Sequence, residues 1–258
     1  MNGDSSALKV AIVTGAAQGI GRAIACRLAR DGFAVAIVDI NESGLDEVKR
    51  EIEALGAQAL ALRADLTQLE DIQKSIVRSA EWGQLNVLVN NAGRVSITPF
   101  LEIAEQEWDA IMTLNLKTVF FAMQFAARHM QVGARIVNLS SISGRSGRSD
   151  QAHYAAAKCG VISLTQSAAL SFASQGITVN AVCPGVVDTP MTSDIHHIRA
   201  GILGITPEES LARMVAKIPL GRLETTDDVA GVVSFLCSPD AAYITGQSLN
   251  VCGGMEMN

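Results

Sequence analysis

The 258-residue sequence predicts one α/β domain, a doubly wound parallel sheet of about seven strands with helices on both faces. Three observations carry this. Short aliphatic runs alternate with helical patterns from one end of the chain to the other. The composition is 48% hydrophobic but only 4% aromatic, which suits strands buried on both faces and built from aliphatic side chains. No repeat, low-complexity tract or Pro-, Gly- or Ser-rich linker divides the chain, and a domain of this length needs no disulfide or metal staple.

In chain order, the expected strands are 10–14, Ala34–Asp39, 58–63, 87–90, Arg135–Leu139, 178–182 and 249–251. After the second, Leu45, Val48, Ile52 and Leu55 recur on one helical face, and Gly56 supplies the stop. Thr67-x-x-Glu70 reads as a capping box ahead of Leu69, Ile72 and Ile76. A further helix is expected at 226–236. The repeated β-α order implies right-handed crossovers. Segment 192–217 reads as an irregular insertion beyond the carboxyl end of the sixth strand. Ligand crevices lie there, so the segment is a substrate-lid candidate.

The net charge of −6 argues against nucleic-acid binding, which draws its affinity from Lys and Arg on phosphates. Five cysteines, an odd number with no C-x-x-C, are most simply free thiols in a reducing compartment. The start MNGDSSALKV has no basic region followed by an apolar one, so no secretory leader is expected. Residues 159–187 carry no Asp, Glu, Lys or Arg. Ser163, Gln166, Ser171, Gln175, Asn180 and Pro184 interrupt the run, which reads as buried core and not as a membrane span. The expectation is a cytoplasmic protein with neither nucleic acid nor membrane as partner. His196-His197 has no Cys or carboxylate at ligand spacing, so no metal is expected.

The first strand runs into Thr14-Gly15-Ala16-Ala17-Gln18-Gly19-Ile20-Gly21, where a helix begins. Glycine permits a tight turn and close backbone approach, and a helix N-terminus offers free N–H groups to a pyrophosphate. Alone, a G-x-x-x-G-x-G turn is equally a strand–helix junction with no ligand. The second strand ends at Asp39, where a carboxylate would accept hydrogen bonds from adenosine ribose hydroxyls and repel a 2′-phosphate. Gln18 places no cation in the loop to offset that repulsion, and Arg22 falls within the helix. The reading is a Rossmann-type site for NAD, with a cap on the following helix as the plainer role for Asp39.

Ser141, Tyr154 and Lys158 form a second cluster. Tyr154 and Lys158 are four apart in a helical pattern and share a face. A phenol titrates near ~10, and a neighbouring ammonium favours the phenolate, which would bring Tyr154 towards acid–base work. Ser141 follows a strand and can donate to a substrate carbonyl. By itself Y-x-x-x-K is as well explained by a surface pair.

Together these motifs resemble the short-chain dehydrogenase/reductase family in its compact single-domain form, over essentially the whole chain. Thr14 to Gly21 is similar to its glycine motif, and Asn90-Asn91-Ala92-Gly93 to the motif after its fourth strand. Asn115, Ser141, Tyr154 and Lys158 match its catalytic tetrad, and Pro184-Gly185-Val186-Val187-Asp188-Thr189-Pro190 its nicotinamide loop. The resemblance implies reversible hydride transfer between a secondary alcohol and a nicotinamide. Tyr154 would be acid/base, Ser141 would orient the carbonyl, and Lys158 would lower the tyrosine pKa and hold the ribose. Asn115 would serve a water-linked proton relay. It further implies an NAD site lined by Gly15, Gln18, Gly19, Ile20, Gly21, Asp39, Ile40, Asp65, Leu66, Asn91, Ala92, Gly93, Tyr154, Lys158, Pro184, Gly185, Val187 and Thr189. For Asp65 a helix cap is an equal reading.

Residues 31–37 and 244–249 resemble members acting on polyols, sugars or vicinal diols, the acetoin and butanediol enzymes among them. A 3-oxoacyl thioester reductase shares every catalytic motif and is the alternative. A non-catalytic NAD-binding regulator is a third class, against which the complete tetrad argues. Arg94, Ser143, Arg148 and His153 are candidate substrate contacts. Arg145, His196, His197 and Arg199 add to the local basic concentration, so an anionic substrate is one reading. Loop arginines that are solvated, or paired with Asp150, Asp188 or another subunit, are the other. Assembly as a homo-oligomer, a tetramer favoured, is expected through helices near 116–130 and 152–173.

Overall fold

The computed structural model describes residues 8–257; the first seven residues, read above for a leader, and Asn258 lie outside the described residues. Seven strands form one sheet: β1 (Lys9–Thr14), β2 (Ala34–Asp39), β3 (Ala59–Arg63), β4 (Gln84–Asn90), β5 (Arg135–Leu139), β6 (Thr178–Pro184) and β7 (Ser248–Val251). Their order is β3-β2-β1-β4-β5-β6-β7, and each pairing is parallel. The order reverses between β1 and β4, which opens a crevice at the carboxyl ends of those strands.

Helices α1 (Gly19–Arg30), α2 (Glu42–Ala54) and α9 (Thr226–Cys237) cover one face. Their core joins Ile24, Leu28, Leu45, Val48, Ile52 and Val233 to Val13, Val35 and Val89 of the sheet. The other face carries α3 (Leu69–Trp82), α4 (Glu105–Met112), α5 (Thr118–Ala127) and α6 (Ala152–Phe172). There Ile72, Ile76, Val119 and Val161 meet Ile12, Val38 and Leu88. Alternate residues of β1 thus feed opposite cores, so residues 10–13 are all apolar between Lys9 and Thr14.

Three local expectations change. The fourth strand begins three residues earlier than position 87, because Gln84 and Leu85 pair with Lys9 and Val10 of β1, and Asn86 is skipped at the register shift between Val10 and Ala11. The Thr67–Glu70 capping box does not form. Thr67 donates both its N–H (3.0 Å) and its hydroxyl (2.7 Å) to Asp65 Oδ1, and the helix starts behind Gln68 with no side-chain cap. Segment 192–217 is not irregular: it holds most of α7 (Pro190–Leu203) and all of α8 (Pro207–Val215). Thr189 caps α7, a Thr206/Glu209 capping box starts α8, each helix has proline in its first turn, and Gly204 at φ +65° turns the chain between them. The apolar helical run of membrane-crossing length is Glu105–Ala127, and its Ile111, Val119, Met123 and Ala126 are buried in the fold.

Candidate active site

The crevice is a cavity of about 1390 Å³ lined from both halves of the sheet. On one side stand Gly15, Gln18, Gly19, Ile20, Gly21, Asp39, Ile40, Asp65 and Leu66, and on the other Ser141, Tyr154, Lys158, Pro184, Gly185, Val187 and Thr189. Asn91, Ala92, Gly93 and Asn115 line its floor.

The glycine loop is packed too tightly to hold side chains. A Cβ on Gly21 would lie 2.1 Å from Gly15 O, and one on Gly15, at φ +64°, would lie 2.8 Å from Ala92 Cα. Gly19, also at positive φ (+55°), opens α1 behind Gln18, whose side chain does not cap the helix. Asn91 Nδ2 donates to Thr14 O (2.9 Å) and Gly15 O (3.0 Å), while the N–H groups of Asn91 and Ala92 donate to Thr14 Oγ1. The two loops at the switch point are thereby locked together. A tight glycine cradle and an uncapped helix start facing a cleft fit a dinucleotide pyrophosphate.

Asp39 is held at the end of β2, with Oδ2 accepting from Ala17 N (3.1 Å) and Oδ1 from Asn41 N (3.0 Å). Asn41, not Asp39, caps α2. The next residue, Ile40, is 58% exposed and offers hydrocarbon where a phosphate-binding cation could stand. Arg22, in α1, is paired with Glu51. Asp65 accepts from Thr67, whose two hydrogen bonds hold its carboxyl below the usual range.

Asn115 is fully buried in a π turn (Thr113–Lys117) between α4 and α5. Such one-turn widenings are frequent at functional sites. Its Nδ2 donates to Arg94 O (2.9 Å) and Ile111 O (3.0 Å), and its Oδ1 accepts from Arg94 N (3.2 Å). A Cβ on Gly93 would lie 2.6 Å from that Oδ1, so glycine there lets the loop close on Asn115.

Ser141 Oγ accepts from Ser143 N at 3.0 Å and is hydrogen-bonded to the Tyr154 side chain. Lys158 Nζ donates to Leu139 O at 2.7 Å and sits 5.7 Å from the centre of the Tyr154 ring. Burial, not Lys158, is the largest influence on the Tyr154 pKa in the cofactor-free site. Burial penalises both charged forms, pushing Tyr154 up to about 12 and Lys158 down to about 8, and the opposing pull on the phenol comes from Ser141.

Of the candidate substrate contacts, Ser143 and Arg148 line the cleft, whereas Arg94 and His153 are not among its lining residues. His153 is fully buried and turned to Glu107, 3.2 Å from Nε2 to Oε1. Glu107 also accepts from Thr98 at 2.6 Å and from Ser96, bonds that hold its carboxyl low. Arg145 is spent on Asn250 (3.1 Å) and Ser248 O. Arg199 makes a two-pronged pair with Asp150 at 2.8 and 3.2 Å, tying α7 to the loop before α6. His196 Nδ1 meets Ser210 Oγ at 2.8 Å and joins α7 to α8, and burial lowers its pKa.

Sequence reasoning missed two residues at this site, and it named Thr14 only as part of the glycine motif, without its role of pinning the floor. Gln151, three before Tyr154, shares its helical face. Glu224 is 7% exposed beneath the 184–190 loop: its Oε2 accepts from Gly185 N at 2.8 Å, its N–H donates to Val186 O at 3.0 Å, and its carbonyl accepts from Asp188 N at 2.8 Å. The helical spacing could have flagged Gln151; nothing in the string distinguishes Glu224 from its neighbouring acids.

Comparison with known proteins agrees with this geometry. Residues 15–256 match the protein family described as Enoyl-(Acyl carrier protein) reductase. The chain is 42% identical over 256 residues to a 3-oxoacyl-[acyl-carrier-protein] reductase FabG of Staphylococcus aureus, covering 96% of this chain and 98% of the relative. It is 41% identical over 253 residues to a diacetyl reductase [(S)-acetoin forming] of Staphylococcus epidermidis, at 96% and 98% coverage. Among solved structures it is similar to an actinorhodin polyketide ketoreductase with NADPH (TM-score 0.91, 37% identity, 96% of this chain and 97% of that one). An NAD+-bound xylitol dehydrogenase superposes as well (TM-score 0.91, 30% identity, 95% and 98%).

Proposed function

Since the chain belongs to the short-chain dehydrogenase/reductase family of oxidoreductases, which use a nicotinamide cofactor, we propose that it is NAD-linked and interconverts a secondary alcohol and a ketone on a small polar substrate. One observation carries this reading: Ser141, Tyr154 and Lys158 meet on the wall of the cleft that the glycine loop opens into. When bound, the nicotinamide supplies or removes the hydride. The chain's own groups handle the proton. Tyr154, its pKa pushed up to about 12, keeps its proton at neutral pH and can give it to a carbonyl oxygen. Ser141 donates to the same oxygen and fixes its position. Lys158, brought down to about 8, can exchange a proton near neutrality, and its bond to Leu139 O keeps Nζ beside the phenol. Tyr154→Phe should lower turnover by roughly 10²–10⁴-fold while leaving the cofactor Kd within threefold; retained turnover would refute the role.

The preference for NAD rests on Asp39, fixed by two backbone N–H groups, and on the hydrocarbon of Ile40 next to it. Asp39→Ala should weaken NADH binding much more than NADPH binding. Equal losses, read by fluorescence titration, would remove the basis for NAD. Arg148 supports an anionic substrate, since it lines the cleft and its recorded hydrogen bond is a 3.4 Å contact to Ile142 O. An unchanged KM in Arg148→Ala would end that reading.

A 3-oxoacyl thioester reductase is the second reading, favoured by the 42% identity to the reductase of that name and by the apolar lid residues Ile195, Ile202 and Met214. Activity on acetoacetyl thioesters against small hydroxy ketones separates the two. For assembly we propose a homotetramer that covers the outward side chains Trp108, Phe120 and Leu170, exposed by 41%, 41% and 83%. A monomeric mass by light scattering would refute it.

A further inference from the structure

The loop that follows β6 is held from outside the cleft by one acidic residue. Glu224 immediately precedes the Thr225/Asp228 capping box that starts α9, so its main chain is anchored to a helix. From there it engages three backbone groups of the loop. Gly185 N donates to its Oε2 at 2.8 Å, its own N–H donates to Val186 O at 3.0 Å, and its carbonyl accepts from Asp188 N at 2.8 Å. With Val187 it forms a parallel bridge outside the main sheet. Pro184, Gly185, Val186, Val187 and Thr189 line the cleft on the Tyr154 side, across from Gly15 and Asp39, and Glu224 stands behind them.

The carboxyl of Glu224 is buried, and its Oε1 has no partner among the described residues. Such groups are uncommon, because each gives up water without compensation. The neighbouring cation, Arg222, is spent on Asp228, to whose two oxygens it donates at 2.7 and 3.1 Å. Beside Glu224 lies a second cavity of about 100 Å³, bordered by Ile218, Leu220, Arg222, Asp228 and Cys252. Cys252 also backs Gly185: a Cβ on that glycine would lie 2.9 Å from Cys252 Cα. Gly185 N is shared with Val251 O at 2.8 Å, so the loop is clamped between the end of β7 and Glu224.

We infer that Glu224 is a positioning residue for the nicotinamide half of the cofactor: its neutral carboxyl sets the 185–188 backbone, and ionisation releases that backbone. This rests on the reading of 184–190 as the nicotinamide loop and deepens it. A neutral acid accepts from Gly185 N without bringing charge into the fold. An ionised one needs water or Arg222, and the cavity gives it room to turn away from Gly185 N towards them. Burial pushes the group up to about 8, with Asp228 adding to the rise and the Gly185 bond and Arg222 opposing it; Cys252 is the other titratable group at the cavity. The hold is therefore present below pH 8 and lost as pH rises through it. If only the neutral form binds, the competent fraction falls from about nine-tenths at pH 7 to about one-tenth at pH 9, and affinity falls about tenfold.

The test is fluorescence titration of the full-length protein with NADH and, in parallel, NADPH at pH 7 and pH 9. Glu224→Gln keeps an acceptor for Gly185 N and cannot ionise, whereas Glu224→Ala keeps no acceptor. Lys158, brought down to about 8, titrates in the same window in every variant, so the quantity read is the Kd of wild type over that of Glu224→Gln. That ratio should rise about tenfold from pH 7 to pH 9. At pH 7 Glu224→Ala should bind roughly tenfold more weakly, and Glu224→Gln should restore affinity to within about threefold of wild type. ADP-ribose and its 2′-phosphate, which lack the nicotinamide, should bind wild type and variants alike. In the cofactor-free protein, amide exchange of peptide 184–190, corrected for intrinsic rate, should quicken with pH in wild type and not in Glu224→Gln. A Kd ratio and an exchange rate that both stay flat overturn the inference, as do ADP-ribose losses that match those of the dinucleotide. Those results leave the cofactor and the role of Tyr154 standing. Exchange that quickens while the Kd ratio stays flat would show that the loop does not carry the nicotinamide, which takes down the parent reading and this one with it.

Discussion

Glu224→Gln should make the protein more stable at alkaline pH and leave it nearly unchanged in acid. The carboxyl is buried, one oxygen bonds Gly185 N, and the other, Oε1, has no partner among the described residues. Burial raises its pKa from 4.5 to about 8, with Asp228 adding to the rise and Arg222 and the Gly185 bond opposing it. The folded chain therefore holds this proton more tightly than the unfolded chain. Stability linked to Glu224 is fully present below pH 4.5, falls between 4.5 and 8, and has reached its full loss above 8. The gap from 4.5 to about 8, at about 1.4 kcal/mol per pKa unit, gives a full loss of about 5 kcal/mol. Between pH 5 and pH 9 the share lost is about 4 kcal/mol, or on the order of 10 °C in melting midpoint. Glutamine keeps an oxygen for Gly185 N and cannot ionise. Melting curves of wild type and variant, recorded from pH 5 to pH 9, should converge at the acid end and separate at the alkaline end. Parallel curves would refute the buried-carboxyl argument.

Two further outcomes follow from packing and burial. Gly21→Ala would drive a methyl against Gly15 O, a backbone atom, and should cost about 2–3 kcal/mol or more together with cofactor binding. Gly201→Ala, inside α7 with nothing within 4 Å of the added carbon, should instead stabilise by about 0.5–1 kcal/mol; equal effects by thermal melting would contradict this contrast. In the cofactor-free protein, tyrosinate absorbance from Tyr154, one of two tyrosines, should be absent below about pH 10 and appear above it, since its pKa lies near 12. The difference between the titrations of wild type and Tyr154→Phe isolates it, and a component rising near neutrality would show that Lys158 outweighs burial.

The sequence by itself determined the architecture. Aliphatic runs such as 34–39 can be satisfied only between two helical layers, and glycine is required at 15 and 21 because no Cβ fits and at 15 and 19 because φ is positive, so the strand–glycine turn–helix pattern could be read from the string. Tyr154 and Lys158 share a face by helical spacing alone, and the family motifs led to the cleft-lining residues. Chain packing decided the rest. Whether Arg145 and Arg199 were free depended on Asn250 and Asp150, partners 105 and 49 residues away, and His153 turned from the cleft because Glu107 stood behind it. Segment 192–217 was partly legible: Thr206-Pro207-Glu208-Glu209 carries a capping box and a first-turn proline that signal α8. The pKa values of Tyr154, Lys158 and Glu224 were not legible at all. Desolvation is set by the atoms of every surrounding element, and no local pattern encodes that sum.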